Sequence, residues 1–191
     1  MAINLNKGGR VNLEKEAPGL QNLHLGLGWD IRKTDGSAFD LDASVLMLDD
    51  TDKAIGDGGF VFYNASKSAC GSVEHMGDNL TGEGDGDDEV VTVNLSTLPA
   101  EVKKILVAVT IHDADARKQN FGGVENAFIR VANKDNGQDI VRYDLTEDYS
   151  TETSLIFGEI YKKDDQWRFV AKGDGFAGGL AAFLNAYGLN A

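Results

Sequence analysis

The sequence predicts an all-β fold, a β-sandwich of two sheets with one or two short helices, including a C-terminal helix. Three observations lead to this prediction. Apolar and polar residues alternate in nine or so segments, which is the period of a half-buried strand. The 191 residues include 23 glycines but only 2 prolines, a ratio that favours many tight turns. Only two stretches have the features of a helix, and no repeat or Pro/Ser-rich linker divides the single domain expected over residues 1–191.

The predicted strands begin with two long alternating segments. In "NLHLGLGWD" (22–30) the leucines and Trp29 fall on one face. In "FDLDASVLML" (39–48) the apolar residues share one side and Asp40 and Asp42 share the other, which again predicts one buried face. Shorter strands, rich in β-branched and aromatic residues, are predicted at 59–64, 89–95 and 105–112.

Two hairpins and two helices complete the predicted fold. The hairpin over 126–145 turns at Asn136–Gly137, a pair that readily adopts left-handed conformations, and the hairpin over 154–173 turns at Asp164–Asp165. A short helix is predicted in "LPAEVKK" (98–104), whose early glutamate and late lysines match the helix dipole. The second is "AGGLAAFLNAYG" (177–188), with helical spacing and Gly188 as its stop.

Composition excludes several classes of partner. The net charge is −13 and the pI is about 4.5, which argues against binding to nucleic acid or to an anionic membrane surface. Cys70 is the single cysteine, so an intrachain disulfide is impossible. The first twenty residues lack the apolar core of a signal peptide, and no apolar run reaches the ~18 residues of a membrane helix. A cytoplasmic location is expected.

The most unusual segment is "GDNLTGEGDGDDE" (77–89), which has six carboxylates, four glycines and no basic residue. Two unit charges about 6 Å apart repel by roughly 3 kcal/mol at an effective dielectric of about 20. Several such pairs would rival a domain's whole stability of about 5–15 kcal/mol. The segment is therefore either a solvated acidic loop or the binding site of a cation.

The donor types favour calcium over other metals. Ca²⁺ takes carboxylate, amide and main-chain oxygens on a flexible backbone, whereas the absence of His and Cys disfavours zinc, copper and nickel. The segment is not an EF-hand, because Leu80 and Gly82 replace two ligands and no flanking helices are predicted. The candidate side-chain ligands in this segment are Asp78, Asn79, Glu83, Asp85, Asp87, Asp88 and Glu89.

Asp40 and Asp42 extend the candidate site if their strand lies against the acidic segment. The alternative is an exposed strand face with ordinary surface acids. Together with Asn79, the eight carboxylates exceed what one Ca²⁺ normally uses, and two ions are therefore expected.

Catalytic motifs are absent from the sequence. It has no nucleophile elbow, phosphate-binding P-loop or H-E-x-x-H zinc motif. His24, His75 and His112 are scattered, as structural or surface imidazoles usually are. The polar run "HDADARKQN" (112–120) is the remaining candidate for an active centre, and its alternative interpretation is a polar loop that caps a buried strand. We do not expect an enzyme.

Several motifs resemble the TerD family of tellurium-resistance proteins, in the family's order and over nearly the whole chain. They are "GLGWD" (26–30), "DLDAS" (40–44), the acidic segment, "TIHDADARKQNFGGVENAFIRV" (110–131), "STETSLIFGEIY" (150–161) and "GFAGGLAAF" (175–183). Within the family the chain is most similar to TerD and TerE members. It departs from them at Gly58–Gly59, where relatives often have bulkier polar residues.

The resemblance implies a β-sandwich that binds two Ca²⁺ through the acidic segment and the DLDAS strand. It also implies a cytoplasmic bacterial stress protein that is linked to resistance to tellurite, phage and colicins. Such a protein would be a sensor or scaffold that assembles with other tellurium-resistance proteins at the inner face of the membrane. The alternatives are a metal-dependent enzyme that detoxifies tellurite or cleaves a phosphate ester, and an assembly module whose calcium is structural and constant.

Overall fold

The computed structural model describes residues 2–31, 39–77, 86–147 and 149–190, which form two six-stranded sheets. Three α-helices are present in this part of the chain, α1 (Leu13–Glu16), α2 (Ala114–Arg117) and α3 (Gly179–Ala186). The strands, in chain order, are β1 (Ile3–Leu5), β2 (Arg10–Asn12), β3 (Asn22–Ile31), β4 (Leu41–Leu48), β5 (Phe60–Val61), β6 (Val73–His75), β7 (Glu89–Asn94), β8 (Lys104–Ile111), β9 (Val124–Asn133), β10 (Gln138–Asp144), β11 (Ser154–Lys163) and β12 (Gln166–Phe176).

The strand order confirms the predicted sandwich. The first sheet runs β1-β10-β9-β3-β7-β6 and the second runs β2-β12-β11-β8-β4-β5. All neighbours pair antiparallel except β1 and β10, which are parallel. β1 and β2 are separated by four residues but belong to different sheets. No helix of the described residues is long and apolar enough to cross a membrane.

The main core lies between the two sheets. Leu23, Leu25, Leu27 and Trp29 of β3 all point into it, as their alternation predicted. This face-to-face packing of apolar strand residues is what holds a sandwich together.

A second apolar cluster lies on the outer face of the second sheet, where α3 packs against the strands. Leu46 of β4 and Leu106 of β8 are buried there beneath Phe183 and Leu184. As a result all eight residues of β4 are buried, and the prediction of a single buried face for this strand was wrong. The alternation in the sequence could not predict that α3 packs on the outer side of β4, because the helix residues are more than 130 positions away along the chain.

The hairpin turns lie where they were predicted. In the β9–β10 hairpin Gly137 has a φ of 72°, but Asn136 is not left-handed, so that part of the prediction was wrong; the turn covers 134–137. In the β11–β12 hairpin both Asp164 and Asp165 are left-handed, with φ of 52° and 57°. Two consecutive left-handed residues give a turn whose twist matches that of the flanking strands. Gly188, with a φ of 83°, ends the C-terminal helix, and the N–H of Leu189 then donates to the carbonyl of Leu184.

The helix predicted at 98–104 is absent, and that prediction was wrong. The segment forms turns instead, in which the N–H of Val102 donates to the carbonyl of Pro99 at 3.0 Å. A helix of so few residues gains little from its hydrogen bonds, and the chain must extend again at Lys104 to begin β8. The sequence also did not reveal β1, β2 and β6, because three residues are too few to establish a period.

Replacing Phe183 by Ala tests the packing of α3. The ring is fully buried on the second sheet, so we expect the free energy of unfolding to fall by about 3–5 kcal/mol. Ala181→Gly, at an exposed position of the same helix, should cost only about 1 kcal/mol. Urea unfolding of both variants measures the difference, and equal losses would contradict the packing.

Candidate metal-binding site

The acidic segment leaves the first sheet after β6 and returns to it at β7, and one histidine contacts both ends. The main-chain N–H of Gly77 donates to Nδ1 of His75 at 3.3 Å. Nε2 of the same ring lies 3.2 Å from a carboxylate oxygen of Glu89. Because Nδ1 accepts, the ring proton is on Nε2 and is donated to Glu89. The side chain of His75 is fully buried and thereby ties the start of the segment to its end.

Glu89 joins the acidic segment to the second sheet. Its buried carboxylate also accepts the main-chain N–H of Ala43, at 2.6 Å. β5 pairs with β4 only at Val45 and Leu46. The N–H of Ala43 lies beyond the end of β5, and it donates to the Glu89 carboxylate instead of to a strand. The end of the acidic segment therefore lies beside the "DLDAS" strand that carries Asp40 and Asp42.

Asp87 is held on the outer face of the first sheet by two partners. Arg130 donates from Nε to one carboxylate oxygen at 2.7 Å and from Nη2 to the other at 2.6 Å. Nε2 of His24 lies 2.8 Å from the second oxygen. Burial works to raise the pKa of Asp87, but the hydrogen bonds and charges of Arg130 and His24 outweigh it and lower that pKa.

This contact explains the glycines of "GLGWD". A Cβ on Gly26 would lie 2.3 Å from the carboxylate of Asp87, and a Cβ on Gly28 would lie 2.4 Å from the ring of Phe128 and 2.8 Å from the carbonyl of Gly86. Only residues without side chains let the end of the acidic segment lie flat on β3.

Asp88 has an environment that disfavours its negative charge. One carboxylate oxygen accepts the main-chain N–H of Trp29 at 2.7 Å. Burial nevertheless raises the pKa of Asp88, and the negative charges of Asp30 and Asp87 raise it further. A cation at this position would relieve the repulsion.

Asp42 of β4 lies on the outer side of the second sheet, at a cavity of about 350 Å³. One carboxylate oxygen is 3.6 Å from Nδ1 of His112, and Nε2 of that ring is 3.5 Å from the carboxylate of Asp113. Asp113 itself has a left-handed φ of 51°. The carbonyl of Asp40 accepts the N–H of His112 at 2.8 Å, so both acids of "DLDAS" adjoin the "HDADARKQN" loop.

The nine predicted ligands thus fall into three groups. Glu89, Asp87 and Asp88 lie where the acidic segment rejoins the first sheet. Asp40 lies just before β4 of the second sheet, and Asp42 lies near the start of that strand. Asp78, Asn79, Glu83 and Asp85 are outside the described residues. Among the residues that are described, no group of three or more His, Cys, Asp or Glu side chains could hold a metal ion. The metal site stays a prediction, and its donors, all carboxylate or amide oxygens, suit a hard cation.

The sequence did not identify His24, His75 and Arg130 as residues that anchor the acidic segment. The glycines at 26 and 28 were the available sign, since His24 shares their face of β3 and Arg130 pairs with Gly26 in register. Two glycines on one face of a strand indicate close approach of another part of the chain.

Arg130→Leu tests the anchor at Asp87. The carboxylate would remain buried without its main partner, and we expect a loss of about 2–3 kcal/mol in the free energy of unfolding at pH 7. Lys67→Gln, which breaks an exposed ion pair at 3.6 Å, should cost less than about 0.5 kcal/mol.

The pH dependence gives a second measurement. Because the folded pKa of Asp87 is lowered, the ion pair's contribution is complete above the unfolded value of about 3.9 and is lost as the pH falls through the folded pKa. Wild type and Arg130→Leu should therefore converge in stability in acid. A difference that stayed constant with pH would contradict the assignment.

Comparison with known proteins places this architecture in a family. A family model described as the TerD domain matches residues 1–187. The chain is 55% identical to the tellurium resistance protein TerD of Serratia marcescens over 191 residues, all of both chains. It is 52% identical to general stress protein 16U of Bacillus subtilis over 190 residues, covering 99% of this chain and 98% of that protein.

A solved structure shares the fold. The crystal structure of a homologue of telluride resistance protein (TerD) from Streptomyces coelicolor superposes with a TM-score of 0.72 at 22% identity, over 91% of this chain and 100% of that one. This likeness concerns the fold alone. From the family model and the full-length relatives, the chain belongs to the TerD family of tellurium-resistance and stress proteins.

Proposed function

We propose that this chain is a calcium-binding stress protein that holds two Ca²⁺ ions between the acidic segment and the start of β4. The observation that carries the proposal is the anchoring of the segment at both ends. Gly77 is bonded to His75, and Glu89 is bonded both to His75 and to Ala43, the residue after Asp42. These contacts bring the two ends of the acidic segment together, and a divalent cation bound there would offset the repulsion between its carboxylates.

The residues divide into anchors and ligands in this proposal. Asp87 is hydrogen-bonded to Arg130 and His24, and Glu89 is hydrogen-bonded to His75 and Ala43. In the proposal these two acids anchor the end of the segment. The ions would be held by Asp88 together with the other candidate carboxylate and amide ligands, which are Asp40, Asp42, Asp78, Asn79, Glu83 and Asp85. Bound calcium would supply the positive charge that offsets the clustered carboxylates.

Calcium would thereby create a surface that a partner can recognise. The proposed role is that of a sensor or scaffold, without catalysis, in an assembly with other tellurium-resistance proteins at the cytoplasmic face of the membrane. The names of the relatives, which refer to tellurium resistance and general stress, support a role in the stress response. At a free concentration 100 times the Kd, a ligand stabilises the folded state by about 2.7 kcal/mol.

Calcium titration of the chelator-stripped protein tests the proposal. We expect calorimetry to give two sites, and the Tm to rise by about 5–10 °C at saturation. The double variant Glu83→Gln/Asp85→Asn should lose most of this rise. The control Asp164→Asn/Asp165→Asn makes the same charge change in the distant β11–β12 turn and should keep it. A Tm that neither calcium nor chelator changes would overturn the proposal.

Asp88→Asn tests two effects separately, which are the unfavourable negative charge of Asp88 in the metal-free protein and the loss of a calcium ligand in the loaded protein. In chelator the variant should melt about 1–3 °C higher than wild type at pH 7, because it removes a charge that burial, Asp30 and Asp87 disfavour. With saturating calcium it should melt lower, because a ligand is lost. The penalty on wild type is absent below the unfolded pKa of about 3.9 and grows as pH rises through the raised folded pKa. A variant less stable than wild type in chelator would contradict this account.

Two other functions give different results in these experiments. The cavity at Asp42, His112 and Asp113 would suit a metal-dependent enzyme acting on tellurite or a phosphate ester, which predicts turnover that His112→Ala abolishes. An assembly module with constant, structural calcium predicts binding far tighter than cytosolic calcium levels require. A calcium affinity within the cytosolic range supports the sensor.

A further inference from the structure

A groove on the outer face of the second sheet has a charge opposite to that of the whole chain. It has a volume of about 650 Å³ and lies on β2, β12, β11 and β8. Two acids also line it, Glu159 and Asp174, so its local net charge is +4 in a chain of −13. The cations of this basic groove are Lys7, Arg10, Lys104, Lys163, Arg168 and Lys172, one third of the 18 lysines and arginines.

Strand register fixes the positions of the central cations. Tyr161 of β11 lies opposite Lys104 on β8 and opposite Arg168 on β12, so a positive side chain stands on each side of the phenol ring. Two residues further along β12, the buried Val170 pairs with Arg10 of β2 and forms part of the floor. Groups on paired strands are held more rigidly than groups on loops, which favours a defined binding site.

Four cations of the groove already have carboxylate partners. Lys7 pairs with Glu147 at 2.8 Å, and Lys104 pairs with Asp52. All four of these side chains are more than a quarter exposed, so the pairs are weak.

Arg168 reaches Asp164 at 3.3 Å, and Lys172 reaches Glu159 and Asp174 at 3.6 Å each. Asp164 and Asp174 are 73% and 48% exposed, and such pairs contribute about 0–1 kcal/mol each. The Nε–H of Arg168 is buried and makes no hydrogen bond within the described chain. Turning these cations towards an anion therefore costs little.

Two cations have no carboxylate partner at all within the part of the chain that the structure describes. Arg10 and Lys163 are both exposed at the groove, and neither takes part in a salt bridge there. Their charges are uncompensated in a protein that otherwise carries an excess of acid. An anionic ligand would supply the missing partners.

We propose that the basic groove binds a compact anion carrying two or more phosphate groups. Lysine and arginine donate charge-assisted hydrogen bonds to phosphate oxygens, and the Tyr161 hydroxyl is an additional donor. Compactness follows from the charge distribution. At a Debye length of about 8 Å the groove's own charges dominate inside it, whereas a long polyanion or an anionic membrane would also meet the acidic surface around it.

Calorimetric titration with inorganic tripolyphosphate in metal-free buffer tests this site. The absence of divalent ions makes the result independent of calcium binding. We expect saturable binding that weakens with added salt, and an affinity about tenfold lower for Arg10→Gln/Lys163→Gln. Lys67→Gln/Lys134→Gln removes the same charge at exposed positions outside the groove and should change the affinity less than about twofold.

Backbone amide chemical shifts locate the ligand. Tripolyphosphate should perturb amides of β8, β11 and β12 around Tyr161 and leave those of the acidic segment unchanged. The proposal is overturned if tripolyphosphate does not bind at low salt, if both double variants lose affinity equally, or if the shifts map elsewhere. It is also overturned if polyglutamate or vesicles rich in anionic lipid bind the groove more tightly than tripolyphosphate does.

Discussion

The buried carboxylate of Glu89 is the contact on which the arrangement of the acidic segment depends. A buried carboxylate is tolerated only when hydrogen bonds replace the water it has lost. Here His75 supplies one donor from the first sheet and Ala43 supplies another from the second. The same imidazole accepts from Gly77, so one buried pair fixes the two ends of the acidic segment and the neighbouring strand. This contact is the hydrogen bond that joins the "DLDAS" strand to the end of the acidic segment.

The sequence was sufficient to predict the strands and turns that depend only on residues adjacent in the chain. Alternation over 22–30 predicted the long strand β3, the β-branched residues of 105–112 predicted β8, and the pair Asp164–Asp165 predicted the turn of the second hairpin. It was insufficient where neighbours distant in the chain decide the outcome. The full burial of β4 depends on Phe183 and Leu184, and the propensity of 98–104 for helix is overridden by the need to enter β8.

The candidate site shows the same division. The clustered carboxylates at 77–89 were evident from composition, but their anchors were not. Arg130 and His24 are 43 and 63 positions from Asp87, and nothing in the local sequence relates them. The anchors are known only once the register of β3 and β9 is known, because Gly26 and Arg130 are then opposite each other. Charge therefore predicted a cation site, and topology shows that Asp87 and Glu89 are held by partners within the protein.

The division of β1 and β2 between the two sheets has a consequence for biosynthesis. Residues 3–5 pair with β10, and residues 10–12 pair with β12 at 168–170. These two strands therefore pair with strands more than 130 positions further along the chain, and one edge of each sheet forms only after β10 and β12 have been synthesised. Such long-range pairing slows folding and prolongs the exposure of unpaired strand edges. Nascent chains of this protein are accordingly expected to require chaperone protection late into translation.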